Sequence, residues 1–214
     1  IYMLFSSATL ILKPIATLQY EFAIVLPKNN KDAINLFTFS LLCLVFFCGF
    51  LLLIILGFED NIAAFFKIEE LRNFIYLLPL SVFLFGAVSV FDFWNNRTGL
   101  FKNISKGLVV KSIMMSSTQI ATGASKFNSF GLIPGMLIGQ FFQLIYLVIV
   151  SIKSILKLFN EVSFSRMTSL AKKYKDIPIF NTIINVTNNL SNELPIFLIT
   201  KYFGLSNAGI QETN

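Results

Sequence analysis

Histidine is absent from the 214 residues, and acids are scarce, with 11 Asp and Glu against 17 Lys and Arg. Without an imidazole there is no His general base, no His-built zinc site and no histidine switch near neutral pH. Charge of either sign is thin: 13% of residues carry it, where a soluble domain has about 25%. The two cysteines, Cys43 and Cys48, share one apolar run at a spacing that fits no metal site, and read as small apolar fillers of a helix. No P-loop, no Gly-rich dinucleotide turn and no Asp-rich metal motif occurs. These absences argue against an enzyme. They leave no metal and no cofactor to expect, and no nucleic-acid partner.

Apolar surface is what the chain has in excess. Hydrophobic residues make up 55% of it, with 25 phenylalanines, more than a fold of this length can hide from water. The bilayer is the solvent such a composition fits, and a spanning helix needs about 20 mostly apolar residues. Six segments qualify as candidates: Ile1–Tyr20, Ala33–Gly57, Phe74–Trp94, Ile104–Ala124, Phe130–Ile152 and Ile177–Thr200. The fold class expected is therefore all-α, a polytopic transmembrane bundle of about six spans. The chain opens inside an apolar run without a Met and stops soon after another. It reads as a fragment with a helix missing upstream.

Basic residues set the orientation, because Lys and Arg collect in cytoplasmic loops. With the loop after the first span inside, the inner loops hold Lys28, Lys31, Arg97, Lys102, Lys106, Lys153, Lys157, Arg166, Lys172, Lys173 and Lys175. The outer loops hold only Lys67, Arg72, Lys126 and Lys201. Asn30, Asn103 and Ser169 are then expected to face the cytoplasm, and Asn61 and Asn128 the outside. The outer segment Gly57–Asn73 mixes apolar residues with acids and reads as a short interfacial helix. The stretch Lys153–Asp176 is basic and amphipathic, either an anchor on anionic lipid or a linker between two helical lobes.

Polar groups inside the spans are the functional candidates, since a charge in the bilayer is costly. Lys13 and Lys111 each fall within a span. The fourth span, "ISKGLVVKSIMMSSTQIATGAS", carries two adjacent polar stripes, Lys111, Thr118 and Thr122 beside Ser112, Ser116, Gln119 and Gly123. Such a face lines a cavity or packs on other helices, and Lys111 favours the cavity. The sixth span adds Asn185, Asn188, Asn189, Asn192 and Glu193. The fifth carries Gln140, Gln143 and a row of Gly131, Gly135 and Gly139, read as close helix packing. Asp92 and Arg97 bracket one end of the third span and read as an interfacial ion pair.

Three stretches resemble one family. "LQYEFAIVLPKNNKDAINLFTFSLL" has an aromatic-acidic pair, Tyr20 and Glu21, then "AIVLPK" and a helix start with Ala33, Asn35 and Leu36. "FWNNRTGLFKNISKGLVVKS" supplies Trp94, Arg97, Phe101 and Ser112, and Tyr174–Gly204 is similar to the helix that opens a second lobe. The order and spacing resemble polysaccharide-biosynthesis exporters of the Wzx type, in the multidrug/oligosaccharidyl-lipid/polysaccharide exporter superfamily.

The resemblance implies a two-lobe bundle. Residues 1–152 would form most of the first lobe, without its first helix; 153–176 a basic cytoplasmic linker; and 177–214 a truncated start of the second lobe. It implies a flippase of the bacterial inner membrane, moving an undecaprenyl-diphosphate-linked oligosaccharide such as an O-antigen or capsule repeat unit. Its partners would be that substrate, the bilayer and other polysaccharide-assembly membrane proteins. On this reading Lys13 and Lys111, with Arg97 at the mouth, attract the diphosphate, while Ser112, Ser116, Gln119, Asn188 and Asn192 bond the sugars. Three alternatives stay open: a cation-coupled multidrug antiporter, which needs acids deep in the bundle and has only Glu193 to offer; a membrane polymerase or glycosyltransferase; and a non-functional flippase remnant.

Overall fold

The computed structural model describes residues 2–66, 74–124 and 131–203, and among these every regular element is helical. In chain order these are α1 (Tyr2–Thr17), a 3-10 helix (Tyr20–Val25), α2 (Asn30–Phe66), α3 (Leu78–Arg97), α4 (Phe101–Ala124), α5 (Leu132–Phe159), α6 (Phe164–Lys173) and α7 (Asp176–Phe203). In lipid a helix is the segment that satisfies its own backbone, so long apolar runs fold this way without outside partners.

Among the described residues, three helices are long and apolar enough to cross a membrane: Asn30–Phe58, Leu78–Arg97 and Leu132–Phe159. That is half of the six expected. α4 and α7, at 24 and 28 residues, have the length but too polar a composition. Within Asn30–Phe58 only 17% of the most apolar stretch is buried, so that stretch of α2 lies mostly outside the core, while Ala33, Ile34, Leu36 and Phe37 at the start of the helix are buried in it. Phe46 at 74% and Leu53 at 68% exposure would be untenable in water over so long a face. The chain is a helical membrane protein.

The helix ends come together in one pattern. Tyr20 Oη donates to the Ala171 carbonyl, Asn35 Nδ2 to the Glu161 carbonyl, and Trp94 Nε1 to Ser154 Oγ. Two ion pairs, Lys31–Glu161 and Arg166–Asp32, close the same region. The end of α1, the start of α2, the end of α3, the end of α5 and all of α6 therefore share one end of the bundle, as an up-and-down arrangement requires. Gly99 makes the sharp turn from α3 to α4 there, at φ 71°, a conformation that suits glycine.

The expected linker at Lys153–Asp176 is three pieces: α5 runs on to Phe159, a short turn follows, and α6 packs Met167, Leu170 and Ala171 inward. The proposed outer helix is partly a continuation of α2 past a kink at Phe58. Its remainder, with Lys67 and Arg72, lies outside the described residues, as do Lys126 and Asn128.

Packing between helices joins buried apolar clusters, the largest around Ile34, Phe37, Phe91, Trp94 and Leu147, to close contacts made by small residues and hydroxyls, which matter in a membrane because lipid tails are as apolar as Leu. A Cβ built on Gly139 would lie 2.9 Å from the Lys111 carbonyl oxygen, and one on Gly135 would lie 2.6 Å from Gln119 Cγ. A Cβ on Gly131 would collide with Thr122. The glycine row of α5 is thus the seat of α4. Thr9 and Ser81 hydroxyls bond each other at 3.0 Å, joining α1 to α3.

Candidate functional site

Proline 14 begins the site. It sits inside α1, has no N–H, and leaves the Leu10 carbonyl without its helical donor. Asn189 of α7 supplies the missing bond, donating from Nδ2 to Leu10 O at 2.6 Å. Four residues to either side, Asn185 donates to Gln19 Oε1 at 3.4 Å and Glu193 accepts from Ser7. Asn185, Asn189 and Glu193 are spaced by four, one stripe of α7, and that stripe is laid on α1.

After Thr17 the backbone of Leu18 and Gln19 enters the left-handed region, φ 49° and 56°, and turns the chain back on itself. For residues other than glycine this costs about 1–2 kcal/mol each. Thr17 Oγ1 accepts from the Gln19 N–H and helps hold the turn. The consequence is that Glu21, on the 3-10 helix, is driven inward to 1% exposure. Its Oε1 accepts from Ser89 Oγ at 3.4 Å, while its buried Oε2 has no hydrogen-bond partner. Burial raises its carboxyl above the ordinary carboxylate range, opposed by hydrogen bonds from Thr17 and Ser89 and by the charge of Lys13.

A polar cavity of about 320 Å³ opens here between α1, the 3-10 helix, α3 and α7, lined by Lys13, Gln19, Glu21, Ser89, Asn185 and Asn189 on a floor that includes Phe22 and Phe93. On α3, Phe85, Ser89 and Asp92 are spaced by four and three and share a face. Lys111 of α4 reaches across to it, its Nζ 5.1 Å from the centre of the Phe85 ring, within cation–π range. Asp92 acts electrostatically on both Lys13 and Lys111, and the two lysines act on each other. One oxygen of Asp92 is buried without a hydrogen bond. The result is a charge chain in the electrostatic sense, Lys111–Asp92–Lys13–Glu21, its members within range of one another from α4 through α3 and α1 to the 3-10 helix but joined by no direct ion pair among the described residues.

Of the eight residues singled out from sequence, the fold brings Lys13 and Lys111 together and leaves six elsewhere. Ser112 and Ser116 lie on the exposed side of α4, 100° per residue round from the Lys111 stripe, and Ser112 Oγ donates to its own helix at Leu108 O. Gln119 is packed on Gly135. Asn188 and Asn192 are exposed beside the stripe that meets α1. Arg97 stands away from the cluster: its guanidinium donates to Asn30 Oδ1 at 3.1 and 3.0 Å and to the Ile24 carbonyl at 3.0 Å.

The expected Asp92–Arg97 pair is corrected by the same geometry. Five residues on a helix subtend about 140°, so the two side chains leave α3 in different directions. The sequence reading also missed Glu21, Asp92 and Gln19 as site residues, and it named Asn189 only as one polar group of its span, with no role of its own. Glu21 had a signal, standing in the aromatic-acidic pair beside a stretch that resembled a family landmark. Asn189 had one as well, since a mid-helix proline demands a donor from outside its helix.

Residues 22–213 match the family described as "Polysaccharide biosynthesis protein", which covers most of the chain, including α2 to α7 and the charge chain's Asp92 and Lys111. Neither a curated protein nor a solved structure matches it. A family match of that extent, on a bundle of lipid-facing helices with polar groups gathered inside, leads to one conclusion: this chain belongs to the polysaccharide biosynthesis protein family.

Proposed function

We propose that the chain is the core of one lobe of a flippase that carries an undecaprenyl-diphosphate-linked oligosaccharide across the bacterial inner membrane. The observation that carries this reading is that Lys13 and Lys111, cations from separate helices, lie within electrostatic range of each other inside an apolar bundle, Lys13 on the wall of the polar cavity and Lys111 over the Phe85 ring. Like charges repel most where screening is poor, so such a pair has its best use in binding an anion with more than one negative charge. A diphosphate answers that description. In this reading Asp92 and Glu21 hold the lysines in place between substrates, and the diphosphate displaces them as partners. Gln19, Asn185 and Asn189, set on the cavity wall, offer amide groups to sugar hydroxyls.

The remaining helices complete the reading. α1 to α5 and α7 would all span, about six in number, with α4 and α7 turning polar faces to a second lobe. Rocking of the two lobes would give alternating access without covalent chemistry.

The test is export in a flippase-deleted strain, measured as surface polysaccharide at matched membrane abundance. Lys111→Ala is expected to lower export on the order of tenfold or more, the effect of losing a charge-assisted contact, and Lys153→Ala to leave it near the parent level. Lys111→Arg should keep part of the activity, since the charge persists while its shape changes. Full complementation by Lys111→Ala would overturn the reading. Orientation has its own test. Cysteines introduced at Lys102 and Ser169, with Cys43 and Cys48 replaced, should resist an impermeant thiol reagent added outside, while one at Ala124 should react. Labelling at Ser169 and not at Ala124 would invert the bundle.

A cation-coupled exporter is the second reading, and Glu21 and Asp92 favour it. They add two interior carboxylates to Glu193, the acid on which that alternative first rested. A dependence of export on the proton or sodium gradient that Glu21→Gln removes, with Lys111→Ala still active, would select it.

A further inference from the structure

Lys13 stands in the least self-supporting stretch of α1, and that stretch is held from outside its own helix. Pro14 follows Lys13 directly and removes one backbone bond beside the cation. A helix that lacks a rung is free to bend about it. Beyond Thr17 the chain turns through the left-handed pair Leu18 and Gln19. α7 spans this region with two amides. Asn189 donates to the Leu10 carbonyl, three residues before Lys13, and Asn185 donates to Gln19 Oε1, six residues after it. Leu10, Lys13, Pro14, Gln19, Asn185 and Asn189 all line the polar cavity.

The two amides differ in what they can do. Asn185 bonds a side chain, which turns without moving the helix that carries it. Asn189 bonds a backbone carbonyl, which moves only with α1. That carbonyl has lost its own N–H donor to the proline, and in a bundle such a group takes its partner from a neighbouring helix. The bond at Leu10 therefore depends on where α7 stands, and the path of α1 past Lys13 depends on the bond.

We infer that Asn189 is a positioning residue for Lys13: its amide replaces the rung that Pro14 removes, fixes the direction in which α1 presents the lysine to the cavity, and ties that direction to the position of α7. Withdrawal of α7 frees Leu10 and Gln19 together, and Lys13 then shifts relative to Asp92 and Lys111. The consequence for transport rests on the flippase reading, in which α7 opens the second lobe and its rocking would loosen the hold of Lys13 on an anion. The brace itself does not rest on that reading.

The test is a double-mutant cycle in the full-length protein, in nanodiscs. Lys13→Cys, with Cys43 and Cys48 replaced, gives a thiol on the cavity wall whose reaction with a small water-soluble thiosulfonate is timed. Asn189→Leu keeps the size of the side chain and removes the donor, and should raise the rate about fivefold, the worth of one neutral hydrogen bond. Pro14→Ala restores an N–H that serves Leu10 from within α1. In that background Asn189→Leu should change the rate by less than about twofold. Asn185→Leu is the control, and its effect should be the same with Pro14 or Ala at position 14. An unchanged rate in Asn189→Leu would overturn the inference. So would an equal effect of Asn189→Leu in both backgrounds, which a direct contact of Asn189 with a ligand would give, or suppression of Asn185→Leu as well. Export by chains that keep Lys13 is the second readout: Asn189→Leu should lower it and Pro14→Ala should restore it. Labelling of the expected pattern with export indifferent to Asn189→Leu would support the brace and count against the flippase reading, so the two fail separately.

Discussion

Gly139→Val is expected to unseat α4 from α5 and to be the most destabilising single change in the bundle. A Cβ at this position would lie 2.8 Å from Met115 Cβ and 2.9 Å from the Lys111 carbonyl oxygen. A flexible side chain could swing aside, but a backbone carbonyl moves only with its helix. Overpacking of this kind costs about 1–3 kcal/mol even where neighbours can adjust. Here the added branch also pushes away the turn that carries Lys111. The cost should therefore appear twice, as a lower unfolding midpoint in detergent and as reduced membrane abundance. Gly49→Ala is the control. Nothing lies within 4 Å of a Cβ there, and replacing a mid-helix glycine gains about 0.5–1 kcal/mol. Opposite signs for two glycine substitutions would locate the effect in helix contact. A neutral Gly139→Val would mean that α4 and α5 do not pack as described.

Arg97→Lys is expected to fail almost as badly as Arg97→Met. The Arg97 guanidinium makes two bonds to Asn30 Oδ1 and one to the Ile24 carbonyl, clasping the end of α3 to the 3-10 helix and the first residue of α2. A lysine keeps the charge but lacks the planar fork that serves both acceptors at once. Hydrogen bonds from a charged group are worth about 1.5–3 kcal/mol in such settings. Both variants should lower the unfolding midpoint by similar amounts. Had Arg97 served chiefly to draw an anion toward the cavity, lysine would be a near-complete substitute. The pair of variants thus separates a positioning role from an electrostatic one, and rescue by Arg97→Lys would return Arg97 to the site.

Much of the helical framework was legible beforehand because lipid removes alternatives. A segment such as "LLCLVFFCGFLLLIILGF" has to be helical in a bilayer, and α2 contains all of it. α5 was similarly clear, although it ends at Phe159 rather than Ile152, since a helix can leave the membrane without changing its backbone. The glycine row of α5 was read correctly as contact, because spacing by four places Gly131, Gly135 and Gly139 on one side. Identity of the site was less legible. Ser112 and Ser116 looked like a cavity face because hydroxyls are unusual in a span, yet both lie on the exposed side of α4, and Ser112, which bonds its own helix, has no need of a cavity.

Composition and periodicity by themselves determined that this is an α-helical membrane protein, where its apolar helices run and which loops are basic. Those properties follow from the solvent and from bonds between residues four apart. Only the tertiary structure decided that Asp92 lies within electrostatic range of Lys13 and Lys111 while Arg97 holds Ile24 and Asn30, that Asn189 answers the carbonyl freed by Pro14, and that Glu21 is buried. Each of these joins groups from different helices, and the angle at which one helix presents a side chain to another is set by packing across the bundle, which no local pattern along the chain records.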